Sequence, residues 1–265
     1  ALALANGWSV ALPALADLHA GWALGAWAGV LLAALAYVVV PMFQLTPAYP
    51  ARPSWWFPGI LLGLMVAWAL GVVLDAAAAI RLVQALSAVA GIGFALLTLR
   101  LQAQRRRARS DVTYRYWQLG LASAIFALVM VLTATTWPAL ADLAGWSILS
   151  GILLLVGGFM SFIIGMLYKI VPFLAWMHLR NRGSARSPVP NMNQLLPEAD
   201  AQRQMQAHVV ALALLLAAVI KPDWLARAAG VALAVASGWL MVNLLGAVRR
   251  YRQHLEKLDR EAIAA

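Results

Sequence analysis

The chain has 265 residues, of which 63% are hydrophobic and only 11% are charged, and it carries a formal net charge of +10. Soluble domains are about 45–50% apolar and about 25% charged, so this composition excludes an ordinary soluble protein and indicates one embedded in a lipid bilayer. The chain has no cysteine, which excludes disulfides, thiolate metal sites and iron–sulfur clusters.

Apolar runs of about 18 or more residues recur along the chain, and a helix of that length crosses a hydrocarbon core of about 30 Å. The stretch ALALANGW (1–8) is interpreted as the tail of an earlier helix in a longer polypeptide. The sequence therefore predicts an all-α fold, a polytopic transmembrane helix bundle of about seven spans. The predicted spans are 20–43, 58–74, 79–101, 117–137, 144–170, 205–220 and 224–248.

Basic residues are concentrated in alternate loops. Six arginines lie in 100–116 and four in 180–204, and the basic tail 249–265 adds five more lysines and arginines, whereas 1–18 has none. Because cytoplasmic loops of membrane proteins are enriched in Lys and Arg, residue 1 is predicted to be periplasmic and the tail cytoplasmic, in a bacterial inner membrane. This pattern explains the net charge without nucleic acid as a partner.

Two phrases of the sequence occur twice. PALADLHAGW (13–22) returns as PALADLAGW (138–146), and His19 is the residue missing from the second copy. YVVVPMF (37–43) likewise resembles YKIVPFL (168–174). The matched prolines, tyrosines, tryptophans and aspartates are less easily produced by chance than matches of Ala and Leu. They predict a duplicated helical unit.

The duplication predicts two tandem four-helix units. The first is 1–116, whose first helix is largely missing, and the second is 117–248. Asp75 before the third span corresponds to Asp223 before the seventh. Because an even number of spans separates the copies, they share one orientation and are related by an axis along the membrane normal, as in parallel-repeat membrane folds.

The fifth apolar stretch is too long for one span. A straight helix over 143–179 would run for about 55 Å, and Pro172 offers a break because proline removes a backbone hydrogen bond. The sequence VPFLAWMHL (171–179) is therefore predicted to form an inner-surface segment. Lys169 is then near a helix end, where its side chain is expected to snorkel to the headgroups, although an intramembrane lysine is also a functional candidate.

Histidines are the main candidates for chemistry. His19, at the outer end of the first span, is either a wet interfacial residue or an axial ligand for haem or copper. The apolar run after His208 spans only about 18 Å, so this helix must begin earlier and draw His208 and Gln204 below the inner headgroups, unless the bilayer thins. His178 emerges on the same side and is a possible partner of His208, whereas His19 lies toward the opposite face.

Other motifs are few. Met160 and Met166 in the fifth span are thioethers that suit Cu(I), or simply packing residues. The sequence has no Gly-rich phosphate loop, nucleophile elbow or covalent haem motif, so the chain is not expected to be an enzyme by itself.

The phrases HAGWALGAWAG, YVVVPMFQLTPAYP and IGMLYKIVPFLAWMHL resemble those of bacterial membrane proteins distantly similar to haem-copper oxidase subunit I and to NnrS-type haem-copper proteins. The resemblance covers about half of the chain. It implies four-helix arcs and a haem-ligating histidine at His19. The adjacent His-His and the His-x-His ligand pairs of that family are absent, so no binuclear oxygen-reducing centre is expected.

Three hypotheses follow. The first is an inner-membrane protein that binds haem or copper for electron transfer or metal handling, as a subunit of a respiratory assembly or a partner of a cytochrome. The second is a permease whose polar pathway includes Asp75, Lys169, Gln204 and His208. The third is a structural membrane subunit. A binding site requires that His19 and His208 face other helices, whereas a structural subunit would leave them wet or facing lipid.

Overall fold

A computed structural model describes residues 12–106, 110–183 and 189–264. The regular secondary structure of these residues is helical, and seven helices are long and apolar enough to cross a membrane. The all-α polytopic fold is confirmed. The predicted helix tail at 1–8 lies outside the described residues. The seven helices are Ala14–Gln44 (α1), Ala51–Val73 (α2), Ala77–Ala103 (α3), Val112–Thr136 (α4), Trp146–Arg182 (α5), Glu198–Ile220 (α6) and Pro222–Arg260 (α7).

Most helices extend beyond the predicted apolar runs. The sixth span begins at Glu198 rather than at 205, as expected for a helix whose apolar run alone is too short to cross the bilayer. The seventh continues to Ala264, so the predicted tail from Arg249 is a helical extension of the span. A short 3₁₀ turn, Pro138–Leu140, and a short helix, Met192–Leu195, lie in the connections.

The fifth helix is not broken at Pro172. It is helical from Trp146 to Arg182, and the prediction of a separate inner-surface segment at 171–179 is wrong. Pro172 is buried within the helix. The end of α5 has a packing partner, because Leu179 is fully buried in a cluster with Leu195 and Leu258. Packing against the extension of α7 therefore outweighs the one hydrogen bond that the proline removes.

The helices α1 and α5 each contain a π-helical segment, a geometry that is rare and frequent at functional sites. The segment in α1 is Trp22–Gly29 and the segment in α5 is Ile152–Met160. Each ends eight residues before the tyrosine of a repeated phrase, Tyr37 or Tyr168. The two repeated phrases are thus preceded by the same kind of irregular helix, in addition to being similar in sequence. The duplication itself remains a prediction.

Contacts divide the chain into two units, which are residues 1–108 with 125–143, and residues 109–124 with 144–265. The division falls inside α4 rather than in a loop. In the first unit, Ala26, Leu61 and Met65 form a buried core between α1 and α2. The second unit has a larger core, in which Tyr116 of α4 packs with Ile164 of α5.

Candidate functional site

A stripe of polar residues runs along α6. Asp200, Gln204 and His208 follow one another at intervals of four residues, which places them on one face of the helix. Gln204 and His208 are 0% exposed, and Asp200 is half-buried. The stripe therefore enters the interior of the second unit, as polar groups in a membrane helix are expected to do.

His208 lies at the middle of its span. It is the eleventh of the 23 residues of α6, so at least about 15 Å of helix lies on either side of it. His208 enters the interior of the bundle as predicted, because α6 begins seven residues before the predicted start at 205.

The imidazole of His208 has one hydrogen-bonding partner. Its Nε2 lies 3.1 Å from the Oγ of Ser161, which directly follows the π-helical segment of α5. The same Oγ lies 3.5 Å from the carbonyl oxygen of Val156, five residues earlier. We assign the protons from this network: Ser161 donates to the Val156 carbonyl and accepts the Nε2–H of His208. In this tautomer every proton of the pair has an acceptor.

The other ring nitrogen is unpaired. Among the described residues, Nδ1 of His208 is buried without a hydrogen-bond partner. In the assigned tautomer this nitrogen carries a lone pair, which is a proton acceptor and a metal ligand. The ring of Tyr116 lies against the imidazole, with 5.6 Å between the two ring centroids. His208 therefore presents a free basic nitrogen inside a closely packed bundle.

One helical turn from His208, Gln204 joins three helices. Its Oε1 accepts a hydrogen bond of 2.6 Å from the hydroxyl of Tyr116 on α4, and its Nε2 donates to the carbonyl of Ala236 on α7 at 3.1 Å. Tyr116 is 0% exposed. The amide is satisfied at both ends, so Gln204 is held in place immediately beside His208.

A further group of polar residues lies around the N-terminal end of α6. The amide nitrogen of Asn243 on α7 donates to the hydroxyl of Tyr168 at 2.9 Å and to the carbonyl of Asp200 at 3.1 Å. Nearby on α5, Lys169 forms an ion pair of 2.9 Å with Asp111, which directly precedes α4. The prediction that Lys169 snorkels to the headgroups stays a prediction; its ammonium group is paired with a carboxylate at the start of a neighbouring helix.

Several members of this site were not predicted from the sequence. They are Tyr116, Ser161, Asn243 and Asp111, whose partners are far away along the chain. The available signal was that each is a polar or amphipathic residue within, or at the end of, an apolar span. That signal identifies candidates, but it does not say which residue pairs with which.

Two of the predicted residues lie outside the polar stripe and near helix ends. His19 is exposed on α1, which agrees with its interpretation as an interfacial residue. Asp75 is an exposed turn residue with φ of 50° between α2 and α3. Neither side chain is enclosed by other helices of its unit.

The remaining predicted residues lie on α5. His178 is exposed, and its ring meets the ring of Tyr251 edge-on at 5.7 Å. Both methionines are half-buried: Met160 packs against the core around Tyr116, and Met166 lies further along the helix. The contacts of Met160 are those of a packing residue.

His178 and His208 do not meet. His208 is bonded to Ser161, and His178 lies 17 residues further along the same helix as Ser161, which is about 25 Å. The predicted histidine pair is therefore wrong, because α5 continues beyond the level of His208 without a break. Over the described ranges, no group of three or more His, Asp or Glu side chains is placed to hold a metal ion. In the polar stripe of α6, the fully buried group able to bind a transition metal is the imidazole of His208.

The first unit has buried polar pairs of its own. The hydroxyls of Tyr49 and Thr98 lie 2.9 Å apart, and the Nε2 of Gln102 donates to the Oε1 of Gln44 at 2.9 Å. Tyr49 lies in the connection between α1 and α2, and its burial raises the pKa of its phenol above the ordinary value of 10.0. These pairs join the end of α1 and the following loop to α3, which is a structural role.

Comparisons with known protein families, with curated proteins and with solved structures found no match to this chain. A membrane-spanning helical bundle is what the fold establishes. The function is therefore argued from the chemistry of the site alone.

Proposed function

We propose that this chain is a membrane permease for protons, in which His208 is the group that takes up and releases the transported proton. The observation that carries the proposal is the free Nδ1 of His208, buried at the middle of a span. Intramembrane ionisable residues mark ion pathways and proton relays, and transporter sites lie near the bilayer midplane. An imidazole is also the side chain whose ordinary pKa lies closest to physiological pH.

Among the residues that the structure describes, other buried polar atoms are also unpaired, for example Nε2 of Gln44 and Oε1 of Gln102, but they belong to side chains that do not titrate. The unpaired nitrogen of His208 differs because it can take up a proton. Polar groups that only join helices are useful when they are satisfied, as Gln204 is by Tyr116 and Ala236. A buried polar atom without a partner costs about 1–3 kcal/mol. Leucine at position 208 would avoid this cost and still pack against the same neighbours. The retained imidazole is explained if its free nitrogen has a ligand during the working cycle.

The residues around His208 have separate roles in the proposal. Ser161 accepts the Nε2–H and donates its own proton to the Val156 carbonyl, which holds the ring in one orientation. Nδ1 is then the atom that binds the transported proton. The polar stripe toward Asp200 marks the side from which the proton arrives; its members are about 6 Å apart along the helix, so water molecules between them would have to carry the proton to Nδ1.

Proton flux into liposomes tests this proposal. Purified protein is reconstituted with the pH dye pyranine inside, and a potassium diffusion potential is imposed with valinomycin. We expect flux from the wild type and at least a tenfold loss in His208→Gln, which keeps polarity and approximate size but cannot titrate. His178→Gln is the matched control, because that histidine is exposed and distant from the site. Wild-type liposomes as tight as empty ones would refute the proposal.

A second candidate function is the binding of haem or copper for electron transfer or metal handling within a respiratory assembly. The specific observation in its favour is again Nδ1 of His208, since the lone pair of a neutral imidazole binds iron and copper. The imidazole is 0% exposed inside the bundle, so in this packing no group of another subunit or a cytochrome reaches Nδ1, and the geometry fits haem less well than a proton. An optical spectrum and metal analysis of the purified protein separate the two functions: a Soret band that disappears in His208→Gln supports haem.

A further inference from the structure

A pocket of about 350 Å³ lies on the surface of the second unit, where the N-terminal end of α6 meets α7. It is at the point along α7 where apolar sequence ends and the arginines Arg249 and Arg250 begin. This is the position of the headgroup layer in a helix that spans a bilayer. The residues that line it are Leu196, Asp200, Val242, Asn243, Leu245, Gly246, Arg249 and Arg250.

The charged side of the pocket is cationic. The side chain of Arg249 is exposed, and Arg250 uses one of its N–H groups to donate to the carbonyl of Leu195 at 2.9 Å. A guanidinium has five such donors, so Arg250 keeps others for a ligand. The carboxylate among the lining residues is Asp200, which lies 3.6 Å from Arg203. With that carboxylate already paired, Arg249 and Arg250 are left in excess, and the site favours an anion.

The opposite side of the pocket is apolar and open. Val242 is 66% exposed and Leu245 is 57% exposed, and both lie on the part of α7 that enters the membrane. Gly246 lies between these residues and the arginines. A Cβ built at Gly246 would be in ordinary van der Waals contact with the guanidinium of Arg250 at 3.7 Å, so Gly246 lies directly beneath that group. An anionic head therefore fits here with an apolar chain below it.

We propose that this pocket binds an anionic phospholipid, with its phosphate between Arg249 and Arg250 and an acyl chain along Val242 and Leu245. Arginine binds phosphate through paired N–H donors, and basic pockets between membrane helices bind anionic headgroups. A soluble phosphate would use the same arginines but would leave the apolar strip uncovered, which is why a lipid is the occupant. This proposal rests on the pocket alone and not on the proposed function, although Asp200 belongs both to the pocket and to the polar stripe.

Native mass spectrometry of the purified protein tests the lipid site. The protein is mixed with equal amounts of phosphatidylglycerol and phosphatidylcholine in detergent, and the retained lipids are counted. We expect a preference for phosphatidylglycerol that falls about fivefold for each arginine removed, in Arg249→Gln and then in R249Q/R250Q. Arg252→Gln is the control, because it removes the same charge from the same helix outside the pocket.

Two further measurements distinguish a bound lipid from a bound soluble anion and from a general effect of charge. Gly246→Leu fills the pocket without changing charge, and it is expected to abolish the preference while the thermal unfolding temperature remains close to that of the wild type. Titration with inorganic phosphate alone tests a soluble anion. The proposal is overturned if Arg252→Gln reduces the preference as much as Arg249→Gln, if Gly246→Leu retains it, or if inorganic phosphate displaces the bound lipid at millimolar concentration.

Discussion

The hydrogen bond between Tyr116 and Gln204 allows a sharp test of the buried polar network. Replacing Tyr116 with Phe removes one hydroxyl and leaves the ring that packs against His208 and Tyr168. The lost bond joins α4 to α6 at 2.6 Å. The substitution also leaves the Oε1 of Gln204 without its donor at a position that is 0% exposed.

The expected cost has two parts. Interhelical hydrogen bonds in membranes contribute about 0.6 kcal/mol on average and about 1.7 kcal/mol at most. An unpaired buried acceptor costs about 1–3 kcal/mol. Because the bond is short and the oxygen is wholly buried, we expect Tyr116→Phe to lower the free energy of unfolding by about 2 kcal/mol, slightly above the largest contribution of the bond alone and within the range for an unpaired acceptor. Gln204→Leu should cost more, since it leaves the tyrosine hydroxyl unpaired and also removes the bond to the Ala236 carbonyl.

The double variant Y116F/Q204L tests whether the two side chains are coupled. With both partners of this bond removed, neither is left unpaired, although the bond from Gln204 to Ala236 is lost in Gln204→Leu and in the double variant alike. The double variant should therefore be more stable than the sum of the single losses predicts by about 1 kcal/mol or more. Unfolding of the detergent-solubilised protein in sodium dodecyl sulfate is followed by tryptophan fluorescence, for which the buried Trp117 is a neighbouring reporter. Single losses that add to within about 0.3 kcal/mol would show that the two side chains are not coupled.

Two other predictions concern packing and pH. Gly165→Ala should destabilise the protein by about 1–3 kcal/mol, because its new Cβ would lie 2.8 Å from the Cβ of Tyr116. Gly230→Ala, where a Cβ meets open space, should be neutral or stabilising, and thermal unfolding of both variants checks this contrast. For Tyr49, the raised pKa means that its contribution to stability is full below about pH 10 and is lost at higher pH, as the unfolded phenol ionises. The free energy of unfolding, measured between about pH 9 and about pH 11, should therefore fall less steeply in Tyr49→Phe than in the wild type.

The length of helix needed to cross a bilayer explains how much of the fold could be predicted from the sequence. The number, order and approximate bounds of the spans follow from hydropathy, because a bilayer sets the length of a helix that crosses it. The same length requirement moves the start of α6 before Gln204 and brings His208 into the bundle. The first residue of α6 could not be predicted, since the apolar run after His208 has no marker for how many polar residues precede it in the helix.

What could not be predicted depends on tertiary packing. Pro172 was expected to break α5, but Leu179 packs with Leu195 and Leu258 and maintains the helix beyond the proline. Ser161, which pairs with His208, directly follows a π-helical segment, and no simple periodicity of the sequence reveals that segment. To predict which residues of two helices pair, one needs the rotation of each helix about its axis and its position along that axis. Neither quantity can be read from a single sequence.

The continuous helix from Pro222 to Ala264 has a mechanical consequence. Its 43 residues form a helix about 64 Å long. About one third of the way along it, the carbonyl of Ala236 accepts a hydrogen bond from Gln204, and near its C-terminal end Leu258 packs against Leu179 and Leu195. A tilt of about ten degrees about Pro222 would move Leu258 by about 9 Å and Ala236 by about 4 Å, more than the length of the bond to Gln204. In a rigid tilt of this kind the far end of the helix would move more than twice as far as Ala236, so a displacement at Leu258 would be coupled to the bond that holds Gln204.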